Sequence, residues 1–118
     1  MKNLNRDIVR LKHIENAISL IEEFSANIDI SIFTKDKLRQ AAIIREFEII
    51  GEASANISSE TRKLSPTVEW EKIKGFRNLL VHEYFRVDAG EVWATIQLDV
   101  PSLKIDIVAL IRLLEKSV

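Results

Sequence analysis

The stretch Ala41-Ala42-Ile43-Ile44-Arg45-Glu46-Phe47-Glu48-Ile49-Ile50-Gly51-Glu52-Ala53 restricts the fold more than any other part of the chain. Wound as a helix, it is apolar over more than half its circumference. Such a helix needs neighbours on several sides, so it belongs at the centre of a bundle. Three of its charges, Arg45, Glu48 and Glu52, recur at spacings of three and four, on neighbouring turns of one side. Buried charges cost several kcal/mol unless they are paired. Either these three pair with each other or with a neighbouring helix, or Glu48 or Glu52 orients Arg77 or His82. Gly51 costs about 1 kcal/mol relative to alanine in a helix interior. A close helix–helix crossing would give it a use.

The rest of the chain supplies helices to surround this one. Ile8, Leu11, Ile14, Ile18 and Ile21 trace one helix face, which predicts a helix over about 4–26. His13 lies beside that stripe and reads as a boundary residue. Residues 28–33 alternate apolar and polar, but no second alternating segment exists to pair with them, so they are expected to be a connection, which an extended backbone would suit. Thr34 or Asp36 can cap a second helix over about 35–57. Residues 58–67 form a polar break, in which Pro66 disfavours helix at Ser65 and can itself start the next helix. Trp70, Ile73, Phe76 and Leu80 predict a third helix over about 68–82. Asp88 with Glu91 predicts the start of a fourth. Pro101 interrupts that helix, and Asp99 can cap a last helix over about 101–116. The sum is a single all-α domain over residues 1–118, an antiparallel bundle of about five helices.

Only three glycines, two prolines and no cysteine occur in the 118 residues. The missing cysteines exclude disulfides, thiolate zinc sites and thiol catalysis. A net charge of −1 argues against holding nucleic acid by bulk charge and leaves room for a local basic patch. Neither a signal-peptide core nor a membrane-length apolar run is visible, so a cytoplasmic protein without membrane attachment is expected.

Arginine, histidine and tyrosine converge only in Gly75-Phe76-Arg77-Asn78-Leu79-Leu80-Val81-His82-Glu83-Tyr84-Phe85. Histidine exchanges protons near neutral pH, and arginine stays charged and forks onto phosphate oxygens. Asparagine can hold the imidazole or donate to a substrate. The set suits phosphodiester cleavage in which a ribose 2′-hydroxyl attacks the adjacent phosphate. On a straight helix Arg77 and His82 lie about 140° apart, so one copy is an imperfect site. Two copies about a two-fold axis would supply both an acid and a base. No metal ligand set and no cofactor are expected.

Arg77-Asn78-Leu79-Leu80-Val81-His82-Glu83-Tyr84 resembles the Arg-x4-His-x-Tyr motif of the HEPN superfamily. The flanking segments 44–53, Trp70 with Ile73 and Gly75, Val87-Asp88, Val92-Trp93 and Asp99-Val100-Pro101 are similar to its HepT-like toxin branch. Glu83 stands where an aspartate is common, and Glu46 where an asparagine often follows Arg45. The resemblance implies a HEPN-like four-helix core and a homodimer. It implies a metal-independent ribonuclease toxin with Arg77 and His82 catalytic and Asn78 supporting them. It also implies a partner, an MntA-like nucleotidyltransferase antitoxin, that transfers AMP to Tyr84. A different class of function also fits: a non-catalytic helical partner of a nucleotidyltransferase that binds nucleotide or phosphate. In a third reading Arg77 and His82 are merely interface residues. RNA held outside the motif is expected to meet Lys72, Lys74 and Arg86.

Overall fold

A computed structural model describes residues 2–82 and 87–118, with side chains from Leu4 onward. The described residues form seven helices and no strand: α1 (Lys2–Ser25), α2 (Ile30–Lys35), α3 (Lys37–Ala55), α4 (Ser59–Lys63), α5 (Trp70–His82), α6 (Ala89–Leu98) and α7 (Val100–Lys116). The all-α bundle expected from the sequence is therefore present, with two more helices than the expected five. Among the described residues no helix is long and apolar enough to cross a membrane.

The apolar stripe of α1 is the spine. Leu11, Ile14, Ile18 and Ile21 are fully or almost fully buried against Ile43, Phe47 and Ile50 of α3 and Ile107, Leu110 and Leu114 of α7. Burying each such side chain contributes roughly 1.5–3 kcal/mol. Cross-contacts fix the directions. Near the start of α1, Arg10 Nη1 donates to the Asn56 carbonyl after the end of α3 (3.0 Å), and at the start of α3, Arg39 Nη1 donates to the Phe24 carbonyl near the end of α1 (2.6 Å). The two helices are antiparallel. Lys12–Glu115 and Glu22–Lys104, both at 3.0 Å, set α7 antiparallel to α1 in the same way.

Two expectations are corrected. Residues 28–33 do not form an extended connection, because α2 begins at Ile30. Asp29 caps it by accepting from the Ile32 amide at 3.0 Å. Phe33 plugs the helix into the core, its ring 5.3 Å from that of Trp93. The polar break at 58–67 contains α4, capped by Ser58 and anchored by buried Thr61. Pro66 does not open α5, which starts at Trp70.

A buried carboxylate ties α4 down. Asp7 of α1 is 1% exposed and accepts from the Ser58 amide (3.1 Å), the Ser58 hydroxyl (2.5 Å) and the Thr61 hydroxyl (2.6 Å). A carboxylate in the core is tolerable because three donors replace its water.

Candidate active site

The motif arginine is positioned by the helix at the centre of the bundle. α5 packs on α3 through Phe76, whose ring meets Phe47 edge-on at 5.2 Å, and through fully buried Leu80. Beside them the backbone of Gly51 lies against the stem of Arg77. A Cβ placed on Gly51 would overlap both Arg77 Cβ and Arg77 Cγ. The close crossing expected of Gly51 is thus found, and the side chain it admits is that of Arg77. The guanidinium is half-buried. Its Nη1 donates to Asn78 Oδ1 at 3.2 Å, and its buried Nε has no hydrogen-bond partner among the described residues. That bond uses the Asn78 oxygen, and its amide nitrogen makes no hydrogen bond among the described residues.

His82 is the last described residue of α5 and is exposed. The helix is continuous from Arg77 to His82, so the two remain about 140° apart around it. Arg77 and Asn78 are therefore brought together, and His82 stands apart from them within one chain. Tyr84 and Arg86 lie outside the described residues.

The charges of α3 follow the pairing expectation only in part. Arg45 and Glu48 are 3.8 Å apart, but Arg45 and Glu52 are exposed, so the burial that would force pairing is absent there, and neither Glu48 nor Glu52 is ion-paired with Arg77 among the described residues. His13 is exposed and lines a shallow recess with Arg6, Arg10 and Glu52. Among the described residues no group of three or more histidine, aspartate or glutamate side chains could hold a metal.

Lys72, expected to face RNA, is engaged elsewhere. Its ammonium meets Asp99 at 3.2 Å and Glu69 at 3.9 Å. The hydrogen bond to Asp99, then the charges of Asp99 and Glu69, hold it above the usual lysine range. This also corrects the expected cap: Asp99 precedes α7 but makes no side-chain capping bond. Lys72 and Asp99 border an apolar groove of about 430 Å³ floored by Phe47, Ile73, Phe76, Leu79 and Leu103.

Arg62 had no place in the sequence expectations. Its Nη2 donates to the carbonyls of Ser54 (3.0 Å) and Ala55 (3.2 Å) at the end of α3, and its guanidinium lies 6.0 Å from the Trp70 ring. The only local hint was a cation in a polar run, since its partners lie on other helices.

Comparison with known proteins finds relatives of this chain. The family model described as Ribonuclease HepT-like matches residues 14–110. The chain is 44% identical to the "Probable ribonuclease HepT" of Thermococcus cleftensis, over 88% of this chain and 93% of that one. It is 41% identical to a "Putative RNase" of Methanocaldococcus jannaschii, over 77% of this chain and 83% of the other. It is also 35% identical, over 97% of its length, to a "Gamma-glutamylcyclotransferase and putative RNase" of the same organism, of which it spans 52%. No solved structure matches.

Proposed function

The chain belongs to the HepT-like ribonuclease family, and on that premise we propose that it is a metal-independent endoribonuclease toxin acting as a homodimer. The observation that carries this reading is Arg77. Its stem is pinned on Gly51 and its guanidinium is oriented by Asn78, on the same helix as an exposed histidine. A fixed cation at a helix surface suits a phosphate whose charge rises during reaction, because it does not reorganise as that charge forms.

In the proposed reaction the ribose 2′-oxygen forms a bond to the adjacent phosphorus and the bond to the 5′-oxygen breaks. One His82 imidazole takes the 2′-hydroxyl proton. A protonated His82 from the second copy delivers a proton to the leaving 5′-oxygen. Arg77 neutralises the charge that builds on the phosphoryl oxygens, and the Asn78 amide nitrogen donates to the same group. The products are a 2′,3′-cyclic phosphate and a free 5′-hydroxyl.

Control would come from a nucleotidyltransferase antitoxin of the MntA type. The Tyr84 hydroxyl attacks the α-phosphorus of ATP, pyrophosphate leaves, and AMP remains on the tyrosine. With only Glu83 between it and His82, the added phosphodiester would compete with RNA for Arg77 and repel the incoming backbone.

Incubation of AMP-free protein with RNA in the presence of EDTA tests the core claim. Cleavage is expected, and its absence would remove the ribonuclease reading in favour of a phosphate-binding partner subunit. Replacing His82→Ala is expected to slow cleavage by roughly 10² or more, whereas an unchanged rate would take His82 out of the mechanism. The switch is read from intact mass: whole AMP units gained with the partner enzyme, and none in Tyr84→Phe.

A further inference from the structure

A chain of net charge −1 must hold RNA through a local surface, and the two flanks of α5 differ. With about 100° of turn per residue, Trp70, Lys74, Arg77 and Val81 fall within about 60° of one another. Lys72 and Leu79 lie on the opposite flank, over the apolar groove. Lys72 is held there by Asp99 and Glu69. Lys74 is exposed and makes no ion pair among the described residues.

Arg62 extends the Arg77 flank beyond the start of α5. It sits 6.0 Å from the Trp70 ring and is fixed by the carbonyls of Ser54 and Ala55. Carbonyls orient a guanidinium without cancelling its charge. Arg62, Lys74 and Arg77 thus form one row, and the part from Trp70 to Arg77 spans about 10 Å along the axis. A single row of cations fits a single backbone.

We infer that Arg62 and Lys74 bind successive phosphates of single-stranded RNA on its way to Arg77, with Trp70 as the rigid support of Arg62. This rests on the ribonuclease reading and assigns it a substrate track. Both are binding residues and touch no reacting atom. Glu71, about 60° round α5 from Lys74, is the acid that borders the row on that helix.

The test measures anisotropy of a short, 5′-fluorescein-labelled single-stranded RNA on the His82→Ala protein, so that cleavage does not interfere. Adding Lys74→Gln or Arg62→Gln is expected to weaken binding by roughly five-fold each and to lower the salt slope by about 0.7 per lost contact. Lys72→Gln should change neither, and Glu71→Gln should tighten binding. In the active protein Lys74→Gln should raise KM and leave kcat unchanged. Lys74 is exposed, so its variant keeps the track testable if Arg62→Gln frays α3. A wild type that cleaves RNA while Lys74→Gln binds as tightly as its parent overturns the track alone. Binding that weakens in Lys74→Gln, in a protein that never cleaves, supports the track and overturns the ribonuclease reading.

Discussion

Two residues outside the motif make contacts that a single substitution tests: Gly51 against Arg77, and Asp7 against the start of α4. Gly51 is the first. Alanine there would push a methyl group into Arg77 Cβ and Cγ, both on a stem packed between two helices. The neighbouring backbone must shift, at a cost of about 1–3 kcal/mol for overpacking. The shift falls on the motif arginine, so Gly51→Ala is expected to lower the urea midpoint and to cut cleavage at temperatures where the variant is still fully folded. Cleavage at the wild-type rate in folded Gly51→Ala would mean that Arg77 tolerates the displacement. Asp7 is the second. Asp7→Ala strands the Ser58 amide and the Thr61 hydroxyl proton around a buried void and leaves the Ser58 hydroxyl only its weaker bond to Thr61. A loss of about 3 kcal/mol in urea unfolding is expected for charge-assisted bonds of this kind. A loss below about 1 kcal/mol would show that water substitutes for the carboxylate.

The elements were legible in proportion to the apolar surface they bury. α1, α3 and α7 each bury several residues at helical spacing, and α5 adds partly buried Trp70, Ile73 and Phe76 to buried Leu80, so periodicity found them. α2 buries Phe33 alone and α4 buries Thr61 alone, so neither offers a period to read. Asp29 and Ser58, which cap them, are visible as residue types but carry no mark of their role. The candidate site was legible to the same extent. Arg77, Asn78 and His82 lie close together in sequence, whereas the contacts of Arg77 with Gly51 and of Arg62 with α3 join distant segments. The caps have a testable pH signature. Asp36 accepts from the Arg39 amide (3.0 Å) and from Arg39 Nε (3.1 Å) at the start of α3. The backbone bond first, then the side-chain bond, holds its carboxyl below the usual 3.8. A folded value below the unfolded one gives stability that is complete above pH 3.8 and is lost as pH falls through the lowered value. Asp36→Asn keeps an acceptor but not the charge. Its melting temperature should fall short of the wild type at neutral pH and converge with it in acid. A gap that persists below the carboxyl's titration would place the effect in packing instead of charge.

At the scale of the molecule, the separation of Arg77 and His82 bears on the proposed dimer. One continuous helix sets them about 140° apart, with Arg77 turned to α3 and His82 to solvent. A single chain therefore offers one proton-transfer group and an arginine that face different ways. The proposed reaction needs an acid and a base at one phosphate, and a two-fold axis near the end of α5 would supply both from identical residues. Val81, which is 41% exposed on that last turn and on the same flank as Arg77, gives a second copy apolar surface to cover. Activity should then follow mass action. Above the dimer dissociation constant cleavage per chain is constant, and well below it cleavage per chain falls in proportion to concentration. Sedimentation velocity on the same samples should show the dimer giving way to monomer over the range in which specific activity declines. Val81→Glu is expected to move both transitions together to higher concentration while leaving the helical circular dichroism intact, because Val81 is exposed in the single chain. Full specific activity in samples that sediment only as monomer would overturn the shared site, and His82 would then need a different proton-transfer partner from within its own chain.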